Sequence, residues 1–211
     1  MADRDARVER VTFIPGAAGS SAFWDPIAQR LDSNFDVLAL DLPGLGNIPA
    51  QSGIASYDDL ADYVAAKTLH STAVVAQSMG AYIALQLALR CPQMVTHLVL
   101  TAATGGVDAL RLGAEDWRGD YATTYPNAAS WARSHVRDLS DDELSRITIP
   151  VLLLWPARDA LSPLSIAHRL AERLPDPRLL TFDSDDHWFV HHFADQIASE
   201  ITAFTRPSTT N

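Results

Sequence analysis

Six short runs rich in Val, Leu, Ile and Phe punctuate the chain: Val8 to Ile14, Phe35 to Leu40, Thr72 to Ala76, Val95 to Thr101, Val151 to Trp155 and Arg178 to Phe182. Several are continuously apolar rather than alternating, the pattern of strands buried on both faces of a mostly parallel sheet. Helical segments with start and stop signals lie between them. Ser56 followed by Asp59 makes a capping-box pattern that opens a helix from Tyr57 to about Leu69. The apolar stretch from Met79 to Arg90 stops at Cys91-Pro92, because the residue before a proline avoids helical geometry. Ser162-Pro163 reads as an N-cap and a first-turn proline ahead of a helix that ends near Pro175. This β–α alternation predicts an α/β fold, a mostly parallel central sheet with helices on both faces.

One stretch breaks the rhythm. From Asp108 to Arg146 there is no convincing strand, but Trp117, Tyr121, Tyr125 and Trp131 stand among charged residues. An ordinary connection is much shorter. The segment is either a helical crossover carrying core aromatics or a small lid whose aromatics line a pocket. We expect the lid: a short helical insertion at about 108–147 in one domain spanning 1–211, with those four aromatics binding substrate. The polar tail from Arg206 to Asn211 is expected to fray.

Composition narrows the function classes. With 211 residues, 47% of them hydrophobic and 20% charged, the chain supports one sizeable core and is neither disordered nor fibrous. It carries 16 basic and 26 acidic residues, a formal net charge of −10, and Lys67 is its one lysine. Such a surface repels phosphate backbones and anionic lipid, which argues against nucleic acid or membrane as the main partner. Cys91 is alone, so neither an internal disulfide nor a cysteine metal cluster can form. The first five residues mix both charge signs without an apolar signal-peptide core, and Met79 to Leu89 falls short of the ~18 residues of a spanning helix. The expectation is a cytoplasmic protein that acts on a small molecule.

The candidate chemistry starts at Val74-Val75-Ala76-Gln77-Ser78-Met79-Gly80-Ala81, which runs from an apolar strand into an apolar helix. A serine at that junction sits on a sharp turn that exposes its hydroxyl, and small residues two positions away on each side avoid clashes. The next amide, from Met79, lies at a helix N-terminus, where free N–H groups and the dipole favour an oxyanion. Taken alone, Ser78 could be just a helix N-cap. A serine nucleophile also needs a base and an orienter, which on such a sheet follow in the order Ser, acid, His. Val151 to Asp159 is a buried strand delivering an aspartate past its carboxyl end, and the next strand leads through Ser184-Asp185-Asp186 to His187. All three groups would meet on the carboxyl edge of the sheet.

At this point the sequence resembles the α/β-hydrolase family over nearly its whole length. Phe13-Ile14-Pro15-Gly16-Ala17-Ala18-Gly19-Ser20 is similar to the family's oxyanion loop, and Trp24-Asp25 opens the helix that follows. Asp41-Leu42-Pro43-Gly44-Leu45-Gly46 resembles its Asp-x-Pro-Gly-x-Gly segment. The resemblance implies that the Ala17 N–H is a second oxyanion donor beside the Met79 N–H. The chain departs from the family at Ala76, where Gly-x-Ser-x-Gly has its first glycine, and at Pro15, where the oxyanion loop usually begins with histidine. Its cap is also shorter than in commoner members.

Rival residues are weighed against that set. His97 falls in a strand, and His70 and His168 fall on helix faces, so all three read as structural. His135 lies in the lid and could touch substrate. His191 and His192 with Asp185 and Asp186 lack a His-Glu-x-x-His frame, so no metal is expected. Asp108 is the rival acid, and Asp41 reads as a turn stabiliser. Gly44 and Gly46 lack the third glycine of a dinucleotide fingerprint.

The expected activity is that of a cofactor-independent serine hydrolase cleaving a small to medium carboxylic ester or thioester. Ser78, Asp159 and His187 would be its catalytic residues, with Ala17 and Met79 as the oxyanion hole. The alternatives are a carbon–carbon bond hydrolase, lyase or perhydrolase on the same scaffold, or a non-catalytic ligand-binding member.

Overall fold

The computed structural model describes residues 9–68 and 70–206. Six strands form one sheet: β1 (Glu9–Ile14), β2 (Phe35–Ala39), β3 (Thr72–Gln77), β4 (Val95–Thr101), β5 (Val151–Pro156) and β6 (Arg178–Phe182). Their spatial order is β2-β1-β3-β4-β5-β6. All five pairings are parallel, so every carboxyl end reaches the same edge. Val8, the expected start of the first strand, lies outside the described residues, as do Leu69 and the tail beyond Arg206.

Period-2 alternation divides the core into two layers. Val74, Ala76, Leu98, Leu100, Leu153 and Trp155 point to one face. There they meet α2 (Tyr57–Lys67), α3 (Gly80–Arg90) and α6 (Leu164–Arg173). Ala73, Val75, Val99, Leu152 and Leu154 point to the other face, against α1 (Asp25–Ala28) and α7 (Ala194–Thr205). Strands β3 and β5 are buried along their whole length, which is why they read as continuous apolar runs.

The caps hold in one case and are corrected in another. Ser56 caps α2, its Oγ accepting from the Asp59 N–H at 3.1 Å while the Asp59 carboxylate takes the Ala55 N–H at 3.0 Å. Ser162 does not cap α6; the cap position is Pro163. The Ser162 hydroxyl instead donates to the Ala103 carbonyl at 2.7 Å, and its own carbonyl accepts from Trp155 Nε1 at 2.8 Å. Burial is the reason: Ser162 is fully buried, so its polar atoms bond across to the neighbouring strand end.

Between β4 and β5 the chain forms α4 (Arg118–Thr124), a 3-10 turn at Ser130–Arg133 and α5 (Asp141–Ser145) over the carboxyl edge. Ser140 and Glu143 form a complete capping box on α5, and the Arg137 guanidinium grips the Glu143 carboxylate at 2.7 and 2.9 Å. That guanidinium, with the Ser140 N–H, holds the Glu143 carboxyl down at about 2. A depressed folded-state value gives stability that is full above the ordinary carboxylate range and is lost as pH falls towards the folded value. Glu143→Gln therefore lowers the melting temperature at neutral pH. The gap to wild type narrows between about pH 5 and pH 2 in thermal unfolding followed by circular dichroism. A gap constant across that range would show that the carboxylate's charge contributes nothing.

Candidate active site

The sheet reverses its winding between β1 and β3, and the loops leaving these two strands form the crevice. Ser78 follows β3 directly with φ +52°, a left-handed conformation that side-chain-bearing residues avoid. Its N–H donates to the Thr101 carbonyl at 3.0 Å, and its carbonyl accepts from Ala81 and Thr104 at 3.1 and 3.2 Å. These bonds hold the turn. The N-cap of α3 is Met79, not Ser78, so the serine hydroxyl is not used as a cap.

The hydroxyl is held by a histidine instead. Ser78 Oγ lies 2.9 Å from His187 Nε2, and His187 Nδ1 lies 2.6 Å from Asp159 Oδ2. The other Asp159 oxygen accepts the Leu161 N–H at 2.8 Å. Asp159 is 2% exposed and His187 7%, so the pair is shielded from water and both carboxylate oxygens are bonded. Asp108 takes no part: it is exposed, and its carboxylate caps the Arg111 N–H at 3.0 Å. Thr104 does take part, its Oγ1 lying 3.3 Å from Ser78 Oγ. Thr104 follows β4 at the same carboxyl edge, and no sequence motif marks it.

Two backbone approaches set the remaining geometry. A Cβ on Gly16 would lie 3.0 Å from Ser78 Cβ and 2.2 Å from Gln77 Oε1, so the loop after β1 runs directly beside the Ser78 turn. A Cβ on Gly80 would lie 2.2 Å from the Pro15 carbonyl oxygen. Among the described residues, neither the Ala17 nor the Met79 N–H has a backbone or side-chain acceptor.

A cavity of about 260 Å³ opens over Ser78 and His187. Trp117, Tyr121 and Tyr125 line it, along with Gly16, Ala17, Thr104 and the half-exposed Trp188. Trp131, expected to bind substrate, does not reach it. Its ring sits edge-on to Tyr57 at 5.2 Å and under Gly44, where a Cβ would come within 2.9 Å of Trp131 Cζ2. This aromatic packs the segment onto α2. His135 and Asp108 line an adjoining cavity of about 360 Å³ that shares Thr104, Trp117 and Leu161 with the first. His135 Nδ1 lies 3.0 Å from an Arg118 guanidinium nitrogen. In that cavity the Asp138 carboxyl is shifted upward by partial desolvation and by the neighbouring Asp108. His191 Nε2 pairs with the Phe23 carbonyl at 2.8 Å, and His192 lies 3.0 Å from Asp186. Asp41 ties a turn as expected, accepting the Ser21 N–H at 2.7 Å. No helix among the described residues is long and apolar enough to cross a membrane.

A family model described as alpha/beta hydrolase fold matches residues 9–137, and one described as TAP-like protein matches residues 115–210. The chain belongs to the alpha/beta hydrolase fold family. Among curated proteins it is 25% identical to a pimeloyl-[acyl-carrier protein] methyl ester esterase of Aliivibrio salmonicida, over 93% of this chain and 92% of that one. A relative from Agrobacterium fabrum named for carbamate hydrolysis is 26% identical over 87% of each chain. Among solved structures, carboxylesterase CesB of Bacillus subtilis superposes with a TM-score of 0.73 at 19% identity, covering 96% of this chain and 85% of that one. An enol-lactonase from Burkholderia xenovorans superposes at 0.77 with 16% identity, covering 96% and 93%. At those identities the superpositions speak for the fold alone.

The Gly80 contact yields a test of this packing. Gly80→Ala drives a methyl group into the Pro15 carbonyl and is expected to cost about 1–3 kcal/mol by urea denaturation, as overpacking does. Gly119→Ala, in α4 with nothing within 4 Å of the added carbon, is expected to be neutral or slightly stabilising. Equal losses in the two variants would contradict the close approach.

Proposed function

We propose that this esterase-type hydrolase cleaves small to medium carboxylic esters or thioesters through an acyl-enzyme on Ser78. The observation that carries this reading is the His187 ring bridging Ser78 Oγ at 2.9 Å and Asp159 at 2.6 Å. Asp159 accepts a hydrogen bond from the His187 Nδ1–H, leaving the Nε2 lone pair directed at the serine hydroxyl. Ser78 Oγ attacks the acyl carbon and its proton passes to His187 Nε2. The carbonyl π pair moves onto oxygen, where the Met79 and Ala17 N–H groups receive it. Each such donor is worth about 3–4 kcal/mol of barrier in comparable sites. Collapse expels the alcohol or thiol, which takes the proton from His187. Water then repeats the sequence in reverse to release the acid. Every step uses side chains and backbone of this chain, so no cofactor is called for.

The substrate class rests on the pocket and on the relatives. A cavity of about 260 Å³ lies below the usual ~300–1,000 Å³ of ligand sites, which favours short acyl groups against the Trp117, Tyr121 and Tyr125 rings. The segment at about 108–147 acts as their lid. The Aliivibrio relative is named for a methyl ester, which points to the same bond type.

An organophosphonate distinguishes an activated serine from an inert one, because its adduct mimics the tetrahedral intermediate. Intact-mass analysis is expected to show one adduct per chain, mapped to the peptide containing Gln77-Ser78-Met79. Ser78→Ala abolishes both the labelling and the hydrolysis of short p-nitrophenyl esters. Labelling at another serine, or full turnover by Ser78→Ala, would falsify the assignment. A labelled Ser78 without turnover of any ester or thioester would move the reading to carbon–carbon bond cleavage.

Asp159→Asn should lower kcat by orders of magnitude, since an amide neither stabilises the imidazolium nor enforces the tautomer. Asp108→Asn, exposed and bonded to the Arg111 N–H rather than to His187, should leave ester turnover within about twofold, as is usual for surface substitutions. The opposite ranking in steady-state assays would relocate the acid.

A further inference from the structure

The Tyr121 ring lines the cavity, but its hydroxyl has a different neighbourhood. The phenol oxygen accepts the Gly46 N–H at 2.7 Å and donates to the Ala17 carbonyl at 2.9 Å. Tyr121 is 7% exposed, so water does not compete for these bonds. One oxygen on α4 thus clamps the two glycine-bearing turns beneath it. Those turns already touch: a Cβ on Gly46 would come within 1.9 Å of the Ala18 carbonyl oxygen, and one on Gly19 within 2.6 Å of the Leu45 carbonyl oxygen.

The consequence falls on the Ala17 N–H, the donor that the proposed mechanism needs beside Met79. The carbonyl on its N-terminal side, Gly16, is held by the Gly19 N–H at 3.0 Å. The carbonyl on its C-terminal side, Ala17, is held by the Tyr121 hydroxyl. The Ala17 N–H shares its peptide plane with the Gly16 carbonyl, and the next plane begins with the Ala17 carbonyl; with both held, the Ala17 Cα about which the two planes turn is pinned and the N–H keeps its direction. Without the hydroxyl, the second plane is released, and the part-buried Ala17 carbonyl and the buried Gly46 N–H lose a partner. Removing this phenol proton is costly as well: burial raises the Tyr121 hydroxyl above the ordinary tyrosine range, so it remains the donor that Ala17 requires.

We propose that Tyr121 is a positioning residue for the oxyanion hole, its hydroxyl orienting the Ala17 N–H through the Ala17 carbonyl. On this view the segment over the site does more than enclose substrate, because α4 completes the electrostatic half of the catalytic site. The proposal rests on the serine-hydrolase reading above, and it concerns transition-state binding rather than substrate binding.

The test compares Tyr121→Phe with Tyr57→Phe. Tyr57 supplies the matched control, a buried tyrosine whose hydroxyl donates to the Ala132 carbonyl of the same segment at 2.7 Å, away from the Ala17 loop. Phenylalanine keeps the Tyr121 ring against Trp117 and Tyr125, at 5.1 and 5.0 Å, so the variant retains its packing, and thermal melts verify the fold of both variants. The probes are a short-chain trifluoromethyl ketone and the matching ether, which has no carbonyl. Ser78 Oγ adds to the ketone carbon, its proton goes to His187, and the carbonyl oxygen becomes an oxyanion in the hole. The ether reports only ground-state fit.

For Tyr121→Phe the expected result is a loss of about tenfold or more in kcat, with an equal loss of ketone affinity, the effect of a loosened oxyanion donor. KM and ether affinity stay within twofold of wild type, and Tyr57→Phe keeps its ketone affinity, by the same reasoning. Equal loss of ketone affinity in both variants would mean general loosening of the segment and would overturn the proposal. Unchanged ketone affinity in Tyr121→Phe would overturn it too. If wild type neither turns over esters nor binds the ketone, the underlying hydrolase reading has failed, which is a separate result.

Discussion

At φ +52°, Ser78 occupies a conformation that costs an L-residue on the order of 1–2 kcal/mol, and the surrounding backbone is arranged to hold it there. Its N–H and carbonyl are bonded to Thr101, Ala81 and Thr104, which locks the strand-to-helix turn at the end of β3. The turn in turn demands glycine at 80, where any side chain would strike the Pro15 carbonyl, and leaves little room at 16, where a Cβ would lie 3.0 Å from Ser78 Cβ. Relaxing the serine would therefore displace the loop after β1 as well as the serine. Ser78 and the loop after β1 beside it form one packed unit.

The remaining partners arrive by topology. In a sheet whose five pairings are all parallel, the chain must leave every strand at the same edge. Asp159 and His187 come from the ends of β5 and β6, and burial then makes their contact decisive. A carboxylate 2% exposed must have both oxygens bonded, and His187 together with the Leu161 N–H does this. The same two bonds fix which imidazole nitrogen faces Ser78.

The parts of the site that could be read from sequence are those with a long-range pattern. Continuous apolar runs mark β3 and β5, and the rule that functional groups gather past strand ends then places Ser78, Asp159 and His187 together. Residue type alone says less where no period constrains a side chain. Trp131 and Tyr125 are both aromatics in one irregular segment, yet Tyr125 lines the cavity and Trp131 packs against Tyr57 and Gly44. Ser162 followed by proline carries a capping signal, but full burial directs its hydroxyl to Ala103. The bonds of the Tyr121 hydroxyl, formed 75 and 104 residues away along the chain, leave no local trace in the sequence.

The misplacement of Trp131 has a physical basis in the size of the insertion. A segment this short cannot bury enough surface to hold itself together, so it must borrow the core of the domain beneath it. It does so at several points: Ala129 N–H bonds the Gly44 carbonyl at 2.8 Å, Leu139 N–H bonds the Gly106 carbonyl at 2.9 Å, and Glu115 N–H bonds the Ala160 carbonyl at 2.8 Å. Ala132, Leu139, Leu144 and Ile147 are buried in the same cluster as α2 and α3. Aromatics in such a segment divide into anchors and walls, and Trp131 is an anchor. Tyr121 belongs to both groups, because its ring faces the cavity while its hydroxyl grips the scaffold. A longer cap with a core of its own would not need that bond, and its attachment could be independent of the oxyanion loop. Here the attachment of the segment and the tie on the loop after β1 use the same oxygen atom.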